Sequence, residues 1–290
     1  MRVGVIASGV RHPVLEAMAG LLAPAHHVGW IDPGHGTALN GPPADVYLLK
    51  ARTRPALALA RTLEDRGAPV VNSAAATGLC QDRTAMAALA HSAGLPFPAT
   101  TTFPTLGGLS DATTDLTCPL VVKSRHSRRH DLVARVDSAV RLRALAADWA
   151  QEPVVVQPFA DNSGQDHKLW VVGDRVFAAL RSSELVSADR GPTVSLPLGE
   201  LPAGWIDLVR EVGAVFALDV YGVDIVDTGD GTPLIVDINA FPGIRGQEGA
   251  PEALAALVLR TATGAGAATS AGRASGTDPA SSPGLSPRIR

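Results

Sequence analysis

Two β-branched apolar runs, Gly222-Val223-Asp224-Ile225-Val226 and Leu234-Ile235-Val236-Asp237-Ile238-Asn239, flank a turn centred on Gly229-Asp230-Gly231. The pattern reads as a β-hairpin, and each arm carries an aspartate, a residue that strands ordinarily avoid. Strand side chains alternate faces, so Asp237 and Asn239 project to one side. Asp224 can meet them from the partner strand at about 5 Å between Cβ atoms. Three oxygen donors would then converge. That hard, oxygen-only set suits Mg2+ bridging nucleotide phosphates, because Mg2+ takes one or two carboxylates and leaves positions for water and phosphate. The alternative is two solvent-facing aspartates on an edge hairpin.

The rest of the chain narrows the partners. A length of 290 residues with 46% hydrophobic content allows a sizeable core in one large or two to three small subdomains. The formal net charge of -3 shows no global basic excess, so neither nucleic acid nor an anionic membrane is an expected partner. Two cysteines, Cys80 and Cys118, make neither a disulfide framework nor a four-ligand zinc site, and a reducing cytoplasm is the expected location. The apolar run after Met1 is too short for a signal peptide, and no run reaches the roughly eighteen apolar residues a membrane span needs.

Read for organisation, the chain opens with an α/β alternation. Strands are expected near Val3–Ala7, His27–Ile31, Asp45–Leu49 and Val70–Asn72, with helices at Val14–Leu22 and Arg54–Arg66. Gly4 and Gly9 do not have the G-x-G-x-x-G spacing, which excludes a dinucleotide site there. A linker helix is expected from Ser73 through Asp82 and Arg83 to Gly94. Strands and one helix then alternate from Pro119 to Phe159, and Gly173-Asp174 turns a hairpin between His167–Val172 and Arg175–Arg181. A helix near Trp205–Ala217 precedes the aspartate hairpin, and another near Pro251–Arg260 follows it. From Thr261 the chain is Ala, Gly, Ser, Thr and Pro, a composition expected to stay disordered. The expected divisions are 1–72, an N-terminal α/β domain; 73–157, a central lobe with the linker helix; 158–262, a C-terminal lobe with the metal site; and 263–290, a disordered tail.

Several polar residues are candidates for phosphate. Lys123 ends an apolar strand and is either a compact phosphate-binding charge or a snorkelling surface lysine. The stretch Val154 to Phe159 is either a core strand or a nucleotide hinge that meets adenine with backbone groups. Ser124 to His130 gathers three arginines and two histidines, a loop that is either solvated or closes over an anion. Lys168 and Arg181, on opposite arms of their hairpin, are placed to neutralise a transferring phosphoryl group if they share the cleft of Asp224 and Asp237. There is no G-x-S-x-G elbow, H-E-x-x-H helix or Walker loop.

The series Asp82-Arg83, Lys123, Gln157-Pro158-Phe159, Lys168, Arg181, Asp224 and Asp237-Ile238-Asn239 resembles the ATP-grasp superfamily over roughly residues 1 to 262. Within it the chain is most similar to the inositol 1,3,4-trisphosphate 5/6-kinases, through Asp237 to Gly243 with Gly246, the Arg181-Ser182-Ser183 triplet, His130 and Lys50. RimK-type glutamate ligases come next. The resemblance implies an α/β (α+β) ATP-grasp fold, with an N-terminal open α/β domain and two lobes sandwiching ATP. Arg83, Lys123, Gln157, Pro158, Phe159, Ala160, Lys168 and Ser183 would hold the nucleotide, and Lys168, Arg181 and His130 would act on the transferred group. Asp224, Asp237 and Asn239 would hold Mg2+, and Lys50, His130, Asn239, Gly243 and Arg245 would face a small, anionic acceptor. Pro158 has no N–H, so adenine would rely on backbone groups of Phe159 and Ala160.

The first expectation is therefore an Mg2+-dependent ATP-grasp enzyme that transfers the γ-phosphate to a small anionic acceptor, as a kinase does. The alternatives are a RimK-type carboxylate-amine ligase acting through an acyl phosphate, and a non-catalytic ATP-binding module.

Overall fold

The structure is a computed structural model that describes residues 1–9, 12–34, 42–112, 117–183, 185 and 192–274. Its three sheets follow one another along the chain.

The first sheet is parallel, with strands β1 (Arg2–Ile6), β2 (His27–Ile31), β3 (Val46–Leu49) and β4 (Val70–Val71) in the order β2-β1-β3-β4. Helix α1 (Pro13–Leu22) packs on one face and α2 (Arg54–Asp65) on the other, so both faces of β1 and β3 are apolar. Thr53 caps α2 by accepting from the Ala56 N–H. Gly4 serves packing here: a Cβ at that position would strike the Tyr47 ring of the neighbouring strand.

The linker holds two helices where one was expected, α3 (Ala74–Leu79) and α4 (Arg83–Ser92). The break falls at Asp82, whose carboxylate accepts from the N–H groups of Thr84 at 2.9 Å and Ala85 at 3.4 Å. An N-cap residue has non-helical backbone, so Asp82 starts α4 by ending the run before it.

The second sheet, in the order β5-β8-β6-β7, is antiparallel: β5 (Thr101–Phe103), β6 (Leu120–Ser124), β7 (Val133–Val136) and β8 (Val154–Pro158). Helices α5 (Leu106–Ala112) and α6 (Ala139–Trp149) cover one face, burying Leu106, Leu109 and Leu142 against Val122, Val154 and Val156. The other face is left for Val121, Lys123 and Gln157.

The third sheet is antiparallel in the order β11-β10-β9-β12-β13, built from β9 (Gln165–Val172), β10 (Arg175–Ser182), β11 (Val194–Leu196), β12 (Val220–Asp227) and β13 (Pro233–Ala240). Helices α4 and α7 (Trp205–Phe216) seal one face, where Trp205, Val209 and Phe216 meet Leu169, Val223 and Ile238. The opposite face is divided by composition. Trp170, Phe177 and Val220 bury against α1, the first sheet and α8 (Ala250–Ala274), while the polar remainder faces the second sheet. Helix α8 runs past the Arg260 end read from the sequence, so residues 263–274 are helical where a disordered tail was expected. The alanine-rich composition that cannot build a core is still a good helix former when it prolongs an anchored helix. Residues 275–290 of the expected tail lie outside the described residues.

Candidate active site

Strand register assembles the site. On β9 the even positions Asp166 and Lys168 point away from the α4/α7 core. Pairing then sets Arg181 opposite Asp166, Asp224 opposite Lys168, Asp237 opposite Asp224 and Asn239 opposite Gly222. Four neighbouring strands so lay a polar row across one sheet face. The β12–β13 register shifts between Asp224 and Ile225, which pair with Asp237 and Ile235 and leave Val236 as an extra residue. That bulge reverses the parity of β13, so Leu234 and Val236 join Asp237 and Asn239 in the cleft while Ile235 and Ile238 both enter the core.

The cleft between the second and third sheets has a volume of about 360 Å³, the range of small-ligand sites. Val121 and Val133 form an apolar wall on one side, and Val226, Leu234 and Val236 form the other. The hinge residues Gln157, Pro158, Phe159 and Ala160 close one end. Gln157 is buried and its Nε2 donates to Thr100 Oγ1 at 2.9 Å. The Phe159 N–H is committed to Pro119 O at 3.0 Å, contrary to its expected freedom to meet adenine, because β8 continues one more pairing step beside Pro119. The Arg135 guanidinium lies 4.0 Å from the Phe159 ring centroid.

At the other end, cations and carboxylates interleave. Lys168 Nζ donates to Asp224 Oδ2 at 2.6 Å. Burial raises the Asp224 carboxyl above its ordinary range, nearby Asp237 adds to this, and Lys168 opposes it. Lys123 is buried and reaches across the cleft to donate to Val236 O at 2.7 Å. Burial carries its ammonium down to about 8, with Arg83 acting in the same direction and Asp237, Asp224 and Asp166 against it. Arg83, also buried, donates to Ser124 O at 2.8 Å and Asp131 Oδ2 at 2.7 Å, and its Nη2 lies 3.7 Å from Asp237 Oδ2. Asn239 Nδ2 donates to Asp237 Oδ2 at 3.3 Å, and Arg181 lies 3.7 Å from Asp166. Ser183 is buried and lines the same space.

The donor set fits the implied metal. Asp224, Asp237 and Asn239 offer two carboxylates and an amide oxygen on adjacent strands. Among the described residues no group of three His, Cys, Asp or Glu side chains makes a protein-only metal cage. A hard cation completed by water and phosphate is the species such a set suits.

Not every candidate reaches the cleft. His130 is exposed in the turn before β7, with a left-handed φ of 58°, and does not line it. Lys50, Gly243 and Arg245 lie beyond the metal end, where Lys50 Nζ donates to Phe241 O at 2.7 Å. The loop expected as a positive patch is largely neutralised. Arg125 is bonded to Asp82 and Arg128 to Glu152, each through two guanidinium nitrogens. The Arg128 guanidinium holds the Glu152 carboxyl below its usual range. Residues the sequence reasoning missed are Asp166, Asp131 and Arg52, all lining the cleft. Asp166 carried a signal, since it stands two positions before Lys168 and so shares its strand face. Asp131 and Arg52 lie in loops, where no periodicity marks them.

Comparison with known proteins agrees with this architecture. The RimK-like ATP-grasp domain model matches residues 109–256. A Xanthomonas oryzae pv. oryzae protein named "Probable alpha-L-glutamate ligase" is 30% identical over 209 residues, covering 68% of this chain and 69% of the relative. Among solved structures, the RimK domain ATP-grasp protein of Sphaerobacter thermophilus superposes with a TM-score of 0.71 at 23% identity, covering 89% of this chain and all of that one. The D-alanine–D-alanine ligase of Bacillus anthracis gives 0.68 at 17%, covering 94% and 99%. These likenesses back the ligase alternative over the kinase-like transfer expected first. The chain belongs to the RimK-like ATP-grasp family and is an ATP-dependent enzyme.

Proposed function

We propose that the chain is an Mg2+-dependent carboxylate-amine ligase that works through an acyl phosphate. The observation that carries this reading is the polar row of Arg181, Asp166, Lys168, Asp224, Asp237 and Asn239 on one sheet face, opposite Lys123 and next to an apolar slot that ends at the hinge. ATP lies in the slot with adenine between Val121 and Leu234, its polar edge at the Gln157–Ala160 hinge. Because the Phe159 N–H is already used, Ala160 supplies the hinge donor. Lys123 and Lys168 neutralise the phosphates, and Arg83 and Ser183 complete that cradle.

Asp224, Asp237 and Asn239 would hold Mg2+, which would supply neutralisation of phosphate charge. A substrate carboxylate attacks the γ-phosphorus in line; the bond to the bridging oxygen breaks, ADP leaves, and an acyl phosphate results. An amine then attacks the acyl carbon, the amide bond forms, and inorganic phosphate departs with the acyl oxygen while the amine loses a proton. Arg181 is placed for the charge on the transferred group. Lys168, paired with Asp224 in this structure, would turn from it to meet phosphate.

The glutamate ligase relatives point to an amino acid or peptide as the partner. Among the described residues no helix is long and apolar enough to cross a membrane, and a cytoplasmic enzyme is the reading that agrees with two free cysteines. The test follows the γ-phosphate: protein, Mg2+ and labelled ATP are incubated with carboxylates, amines and hydroxylamine. Carboxylate-dependent release of inorganic phosphate with hydroxamate formation is expected. Label in a stable phosphoester would instead establish the kinase-like transfer.

A further inference from the structure

One guanidinium in the cleft stands between two carboxylates that hold it unequally. Arg83 opens α4, its backbone N–H donates to Arg125 O at 2.9 Å, and its buried side chain lies between the end of β6 and the middle of β13. Both hydrogens of Nη1 are in use, one on Ser124 O at 2.8 Å and one on Asp131 Oδ2 at 2.7 Å. Nη2 lies 3.7 Å from Asp237 Oδ2, beyond hydrogen-bond range, and Nε is a buried atom with no hydrogen-bond partner among the described residues. Arginine does not shed its charge inside a protein, so this guanidinium always requires an anion beside it.

Asp131 is held where it meets that requirement. It follows the turn at His130 and precedes Leu132, whose N–H donates to Ser124 Oγ at 3.0 Å and whose carbonyl accepts from the Ser124 N–H at 2.8 Å. The pairing of β6 with β7 is thereby prolonged to the residue next to Asp131, and Leu132 is itself buried. Asp131 is thus fixed at the cleft wall, with its side chain 14% exposed. Asp237 stands differently. Its Oδ2, the atom that faces Arg83, accepts only the 3.3 Å bond from Asn239 Nδ2. A movement of about 1 Å would close Arg83 onto Asp237 as a charge-assisted hydrogen bond. A cation that needs a carboxylate oxygen at about 2.1 Å would then have to displace the guanidinium.

We propose that Asp131 is a positioning residue: it anchors the Arg83 guanidinium away from Asp237 and so keeps the Asp237 carboxylate free for Mg2+. The metal role of Asp237 comes from the ligase reading above; the placement of Arg83 between Asp131 and Asp237 does not depend on it. Without Asp131, the nearest carboxylate left to a buried and under-satisfied guanidinium is Asp237. The resulting defect is a competition, which excess Mg2+ overcomes.

The test is calorimetric titration of a non-hydrolysable ATP analogue into the full chain at limiting and at excess Mg2+, with a melting curve on each protein. The quantity read is the ratio of the two dissociation constants. In Asp131→Asn and in Asp131→Ala, either of which suffices if it folds, that ratio is expected to rise about fivefold or more over the parent, through weaker binding at limiting Mg2+ alone. Asp131→Glu, which keeps the anchoring charge, is expected to stay within about twofold of the parent. Adding Arg83→Met to Asp131→Asn removes the competitor, so the ratio should return to that of the parent whatever affinity the lost guanidinium costs. A merely structural role for Asp131 would weaken binding equally at both Mg2+ concentrations. That result, an unchanged ratio in a folded Asp131 variant, or a raised ratio that persists in the double variant overturns the proposal. Asp237→Ala separates the two readings: if it leaves the parent ratio unchanged, the metal role of Asp237 falls, whereas a ratio altered in Asp237→Ala but not in Asp131→Asn removes only the positioning role.

Discussion

Lys123 shows how one residue can be costly to the fold and useful to the site. A lysine at 6% exposure has lost most of its hydration, and the backbone oxygen of Val236 is only partial compensation. Its depressed value, about 8, means the folded apo-protein favours the neutral amine as pH rises through that point, while nucleotide phosphate needs the ammonium. The sign is therefore set: kcat/KM for ATP should fall as pH rises above about 8, measured with saturating acceptor. Lys50, driven to a similar value, does not line the cleft and donates to Phe241 O, so Lys50→Met should leave this ATP profile in place. A flat profile to pH 9.5, roughly the upper end of lysine titration in such a site, would show that Lys123 does not bind phosphate.

Elements explain which of these placements were legible. The two hairpins could be read because β-branched arms bound glycine turns, and alternation put Asp237 with Asn239; the same alternation places the missed Asp166 with Lys168. The bulge at Val236 could not, because no Gly or Pro marks it and only the closing of the α7 side of the core requires Ile235 and Ile238 on one face. The exposed position of His130 could not be read for a related reason: loops have no period, and nothing in the sequence marks its left-handed backbone. The basic loop misled because its partners Asp82 and Glu152 are 43 and 24 residues distant in sequence. Helix α8 makes a prediction at this scale. Its buried anchors Leu254, Leu257 and Val258 all precede residue 260. Deletion of residues 265–290 should shift Tm by less than about 2 °C, whereas a fall of about 5 °C or more would show that the segment docks.

At the scale of the whole molecule, one sheet serves two purposes. The five-stranded sheet commits its α4/α7 face to core, and its other face is shared between the first domain and the cleft. The hairpin of β12 and β13 lies where these uses meet, so the proposed metal ligands Asp224, Asp237 and Asn239 are held by a framework that is already packed on one side. This rigidity lets a single side chain be tested without unfolding its surroundings. Asp224 is the poorer choice, because its loss strands Lys168 and breaking such a pair costs about 3–5 kcal/mol. Asp237 has no such close ion pair: its side chain is 20% exposed, and its nearest cation, Arg83, lies 3.7 Å away and is held by Asp131 as well. The decisive measurement is Mg2+-dependent ATP consumption by Asp237→Ala beside the parent protein, with a melting curve on each. The account predicts a loss of about a hundredfold or more with the melting transition retained. Undiminished consumption by a folded Asp237→Ala protein would contradict it.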